Sequence, residues 1–152
     1  DNRQIFEIVG FISIVVSLGF VGLEIRQNSS AVRGATNIAI SDQVMDMALE
    51  ISSNERLGKL VSFMMEDNIK SDELSPEDRT SLQMLVYAGL RRIENVYLQV
   101  EVGILDKQAF DRVGMGFYRT NIARDTWDIY GGYFGKDFIP FFESLRDSID
   151  TK

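Results

Sequence analysis

The chain has 152 residues, 45% of them hydrophobic and 26% charged, ordinary values for a folded protein with a core and unlike those of a disordered chain. Its net charge is -7, with -1 in residues 1–28 and -6 in the remainder, so the bulk of the chain lacks the clustered Lys and Arg that nucleic acid requires. It has no Cys and no His, which removes disulfides, thiol nucleophiles, Ser-His-Asp triads and the usual zinc sites. No cofactor is expected.

The first element is an uncharged apolar run, Ile8–Leu23. As a helix it measures about 24 Å, short of the roughly 30 Å hydrocarbon core of a bilayer. Extended from Gln4 to Ile25 it reaches about 33 Å, provided that Glu7 and Glu24 sit at opposite interfaces. Glu7 then lies in the first turn, where the helix dipole favours an anion, and Glu24 and Arg26 mark the exit into water. No basic stretch precedes the run and no Ala-x-Ala follows it, as a cleaved signal peptide would have. Residues 1–27 are therefore expected to be a transmembrane anchor and residues 28–152 a soluble α-helical domain. Arg3 stands alone before the run, whereas Arg26 and Arg33 follow it. The positive-inside rule then places the soluble domain in the cytoplasm.

Small residues in the run are grouped. Gly10, Ser13 and Ser17 share one helical face, and Gly19 and Gly22 form a second, shorter patch. Small faces let helix backbones approach closely in lipid. The lipid bilayer is thus the first expected partner, followed by the chain's own copies or another membrane protein. Several copies can also ring a pore, with Ser13 and Ser17 lining it and Glu7 or Glu24 attracting ions.

Beyond Asn28 the helical pattern continues to about Ser53, with Ile40, Val44, Met47, Ala48 and Ile51 on one stripe. Asn28-Ser-Ser30 could cap a new helix, but neither Pro nor a Gly pair interrupts the pattern, so one continuous or gently kinked long helix is expected. A shorter helix follows from Glu55 to Asp67, burying Leu57, Leu60, Val61 and Met64. Residues 66–78 hold six acids and one base and lack the Asp-x-Asp-x-Asp-Gly spacing of a calcium loop, so they read as an exposed connector. Ser75-Pro76-Glu77-Asp78 then opens a helix, with Ser at the cap and Pro at the first position. Its apolar face is Leu82, Leu85, Val86, Gly89, Ile93, Val96, Tyr97 and Val100, and Gly103 ends it.

Asp106 caps an expected helix carrying Phe110, Val113 and Phe117. The C-terminal third is aromatic: Trp127, Tyr130 and Phe134, then Phe138, Phe141, Phe142 and Leu145, each set at helical spacing. Such stripes read as core. Asp137 is a candidate cap for the last helix. Period-two alternation is nowhere sustained, so the fold class is all-α, with the N-terminal helix leading into an antiparallel bundle of about five helices.

Carboxylates offer the remaining catalytic possibility. Asp125 with Asp128, or Glu94 beside Arg91, could supply an acid and a base, but both patterns are ordinary for a solvated helix surface. Gly114-Met-Gly116 is preceded by no strand and followed by no Gly-Lys-Ser, unlike a phosphate loop. No enzymatic activity is expected.

The order of several short motifs resembles a family of small bacterial single-pass membrane proteins of uncharacterised activity. The motifs are Ser17-Leu18 followed by Ile25-Arg-Gln-Asn28, Arg92 with Glu94-Asn95-x-Tyr97, Gly103-Ile-Leu-Asp106, and the spaced Trp127, Phe138 and Phe141. The resemblance spans nearly the whole chain. It implies an anchor in the bacterial inner membrane and an α-helical domain, and it supplies no substrate or cofactor. Tyr130-Gly-Gly-Tyr-Phe-Gly135 departs from the pattern, where a more polar linker is expected.

Overall fold

The computed structural model describes residues 2–148. Among them there is no strand, and the fold is all-α. The chain divides into two compact units, Asp1–Ala39 and Ile40–Lys152.

Helix α1 runs unbroken over Asn2–Ser53, as the absence of Pro and Gly pairs predicts. It contains a window long and apolar enough to cross a membrane, and none of that window is buried. In the first unit Phe6, Phe11, Leu18, Phe20 and Leu23 all stand at least 60% exposed.

The second unit begins with the last turns of α1. Asn54 drops into extended backbone, ends α1 and caps α2 (Glu55–Ser62), its Oδ1 accepting from the Leu57 N–H at 3.1 Å. The expected helix to Asp67 does not keep one winding. Past Ser62 it widens into a π-helical turn, Phe63–Asp67, and stops at Asn68 in the left-handed region. Leu60 and Met64 are buried as expected, whereas Leu57 and Val61 are only half-buried.

Helix α3 (Pro76–Glu101) opens as its sequence dictates, with Ser75 Oγ accepting from the Asp78 N–H at 3.2 Å. It is the helix around which the second unit packs. Leu82, Val86, Ile93 and Val96 are buried, each such side chain contributing about 1.5–3 kcal/mol of apolar transfer energy. Leu90 and Gln83 are buried too, because α3 packs against more than one neighbouring element. Gly103 terminates it with φ +75°, allowing the Ile104 and Leu105 N–H groups to fold back onto the Gln99 carbonyl at 2.9 and 3.1 Å.

The helix expected from Asp106 to Phe117 is two pieces. Asp106 Oδ1 does accept from the Gln108 N–H at 2.9 Å, but it opens a short 3₁₀ segment, Lys107–Arg112. Helix α4 (Met115–Tyr118) starts inside the Gly114-Met-Gly116 step, so these glycines divide two elements rather than fraying one. Helix α5 (Asn121–Tyr130) is capped by Thr120, and α6 (Phe138–Asp147) closes the described chain.

Asp137 occupies the residue before α6 but makes no side-chain cap. The Gly135 carbonyl already accepts from the Phe138 and Ile139 N–H groups, at 3.0 and 3.1 Å. The aromatic third is core, as its spacing predicts: Trp127, Phe134, Phe138 and Phe142 are buried, with Trp127 and Phe142 ring centroids 4.5 Å apart. Arg119 secures the end of α6 by donating to the Arg146 and Ser148 carbonyls, both at 2.7 Å.

Candidate functional site

The membrane-type segment of α1 presents its small residues as the sequence arranges them. At 100° per residue, Gly10, Ser13 and Ser17 fall within about 60° of one another, and Gly19 and Gly22 lie on roughly the opposite side. A side-chain carbon built at Gly10, Gly19 or Gly22 would meet nothing within 4 Å, so each glycine leaves an open notch in the helix surface. The two serines have already used their protons. Ser13 Oγ donates to the Val9 carbonyl and Ser17 Oγ to the Ser13 carbonyl, both at 2.8 Å. What they offer a neighbouring helix is close approach and acceptor lone pairs, not free donors.

At the ends of the segment, Arg3 Nε lies 3.5 Å from Glu7 Oε1, a pair one helical turn apart and largely exposed. Glu24 and Arg26 are exposed and form no ion pair among the described residues. The stretch between Glu7 and Glu24 carries no charge.

The carboxylates weighed as an acid and a base are built into the fold. Arg91 Nη1 pairs with Glu94 Oε2 at 2.7 Å, while its Nε and Nη2 donate to Tyr87 Oη at 3.0 and 2.8 Å. The same guanidinium donates to the Tyr133 carbonyl and lies over the Phe134 ring, 4.2 Å from its centroid. Glu94 Oε1 accepts from the Gly135 N–H at 2.8 Å. The bonds to Tyr87 and then Glu94 raise the Arg91 pKa further above its already high value. These two side chains thus fasten the Gly-rich segment to α3.

Asp125 and Asp128 do not act together. Asp125 accepts a hydrogen bond from Ser71 Oγ at 2.5 Å, and Asp128 faces solvent. In the acidic connector, Asp78 is held by Arg56 at 2.7 Å, and that bond draws its carboxyl below the usual range. Among the described residues no group of three Asp or Glu is placed to hold a metal ion.

A feature the sequence reading did not single out lies wholly within the second unit. The distal end of α1 and the middle of α3 border an open groove of about 610 Å³, with Asp46 and Glu50 on one rim and Arg92 and Asn95 on the other. Its sequence signal is faint, two acids at i, i+4 and an Arg-x-x-Asn on separate helices, and nothing in the sequence brings them together.

Compared with protein-family models, curated proteins and solved structures, the chain matches none.

Proposed function

We propose that the chain is a membrane-anchored helical interaction protein that associates through α1, as a homo-oligomer, and carries out no catalysis. One observation carries this reading: an apolar, charge-free helical segment with none of its side chains covered by the described residues. A helix apolar on every side is unstable in water and must be buried, and lipid with other helices is the surroundings that its length fits. In that setting Gly10, Ser13 and Ser17 form one contact face. Gly19 and Gly22 form another on roughly the opposite side, so each copy can meet two neighbours, as a closed ring requires.

The anchor spans residues 1–27 in a single pass of a bacterial inner membrane. Residues 28–152 form a cytoplasmic domain, an orientation favoured by Arg26 and Arg33 following the apolar run. An antiparallel bundle of about five helices remains our reading of that domain's arrangement. A second reading is an accessory subunit of a larger membrane complex, its α1 packed only on foreign helices. A conducting pore has less support, since a lumen lined by Ser13 and Ser17 meets serine protons already bonded to the helix itself.

The test is substitution of both Gly10 and Ser17 by Leu in the full chain. Light scattering in detergent should report a fall to monomer mass while the circular dichroism of the domain stays unchanged. Mass equal to the parent's in both proteins sinks self-association through this face. Release of the parent chain from membranes by alkaline carbonate sinks the anchor itself.

A further inference from the structure

We infer that the groove between the distal end of α1 and α3 binds a small zwitterion, its anionic group on Arg92 and its cationic group against Asp46 and Glu50. This does not rest on the membrane reading, because every lining residue belongs to the second unit. The space, about 610 Å³, lies within the range of small-molecule sites.

The charge arrangement selects the ligand. Asp46 and Glu50 stand one turn apart on α1, and Arg92 stands across the groove on α3. None of the three is in an ion pair among the described residues, although opposite charges face one another. A simple anion drawn to Arg92 meets two carboxylates opposite, and a simple cation drawn to the carboxylates meets the guanidinium. A molecule carrying both signs, separated by a short apolar chain, satisfies both rims. Met47, Leu85 and Ala88 supply the apolar floor for that chain.

A second observation points to the same deficit at Arg92. Tyr118 is 2% exposed and its hydroxyl has no hydrogen-bond partner. The hydroxyl packs against α3 at Gly89, itself a lining residue, one turn from Arg92. Burial raises the Tyr118 pKa, and the nearby Arg92 opposes that rise through its charge and its contact with the hydroxyl. A guanidinium has donors and no acceptor, so the phenol proton finds no acceptor in Arg92. A carboxylate bound in the groove would meet Arg92 in bidentate geometry, with Asn95 on the same rim.

The probe is 6-aminohexanoate, with hexanoate and hexylamine as its single-charge counterparts. Binding to the full chain in detergent is read from the methyl signal of Met47, with exposed Met45 as the internal control. A saturable shift of Met47 is expected with 6-aminohexanoate, and affinity about tenfold weaker or less for either counterpart. Arg92→Gln and the pair Asp46→Asn with Glu50→Gln should each weaken binding by a similar factor. Arg92→Lys, which keeps the charge, should retain a measurable part of it. No saturable shift, equal affinity for the counterparts, or full binding by Arg92→Gln overturns the inference. So does a Met47 signal that responds to protein concentration and not to the probe, which would assign the groove to a second copy.

Discussion

At Gly89 the Tyr118 ring of α4 packs directly on α3, and substitution of this glycine by Ala gives the sharpest test of the packing. An added methyl would collide with Tyr118 Oη and sit 3.2 and 3.3 Å from two carbons of the same ring. The ring cannot swing clear, since Tyr118 is buried and lies edge-on to Phe117 and Phe142 at 5.1 and 6.1 Å. Overpacking of this kind costs about 1–3 kcal/mol. Against it stands the gain of about 1 kcal/mol for replacing Gly by Ala inside a helix. The net expectation is a loss of about 0–2 kcal/mol for Gly89→Ala.

Tyr118→Phe alone removes a buried hydroxyl that has no partner. It should therefore be neutral or stabilising, because the orphaned group costs about 1–3 kcal/mol where it is. The double variant should be more stable than the sum of the singles, by about 1 kcal/mol, since the closest clash is with the oxygen that Phe lacks. Denaturant unfolding of the full chain in detergent, followed by the fluorescence of Trp127, measures all four proteins. Additive single effects, or a loss above about 1 kcal/mol for Tyr118→Phe, would refute the reasoning.

The aromatic core makes a second prediction. Phe138→Ala, at a site 1% exposed with Tyr97, Phe134 and Phe142 rings within 5.7 Å, should cost about 3–5 kcal/mol, whereas Tyr133→Ala at 72% exposure should stay within about 0.5 kcal/mol by the same assay. Acid makes a third. The Arg146 hydrogen bond, with Arg124 adding to it, holds the Asp147 carboxyl at about 2, and Arg56 lowers that of Asp78. Carboxylates depressed in the fold stabilise it above their unfolded pKa near 4, and that contribution fades as pH falls toward 2. Melting temperature should therefore drop between pH 4 and 2, and Asp147→Asn should flatten part of that slope. An unchanged slope would contradict the role of the pair.

The sequence disclosed most where one local cause decides the outcome. Sixteen uncharged residues identify the apolar segment of α1, Ser75-Pro76 sets the start of α3, and Gly103 sets its end through a backbone angle that other residues resist. It disclosed less where distant residues compete for the same backbone group. Asp137 has the composition of a cap, yet the Gly135 carbonyl reaches the N–H groups of α6 first, because Glu94, forty-one positions away, fixes the Gly135 N–H. Leu90 and Met115 were missed for a related reason. A single apolar stripe describes a helix with one neighbour, and α3 and α4 each have more than one.

The same contrast separates the two units in what they demand of their surroundings. In the second unit, burial is met internally: Met64, Leu82, Ile93 and Phe138 are all at or below 1% exposure. In the first, Ile8, Val9, Ile12 and Val16 are each more than half exposed, and a helix cannot hide such residues by folding on itself. Every backbone group of a helix interior is satisfied within the helix, which makes this the one form of chain, besides a closed barrel, that hydrocarbon accepts. On the function proposed above, the apolar side chains ask for lipid and the glycine notches for a neighbouring backbone. Filling those notches with Leu separates the two demands, because it leaves the helix as apolar as before and removes only the close approach. A variant that stays in the membrane as a monomer would therefore locate the association in the notches rather than in hydrophobicity at large.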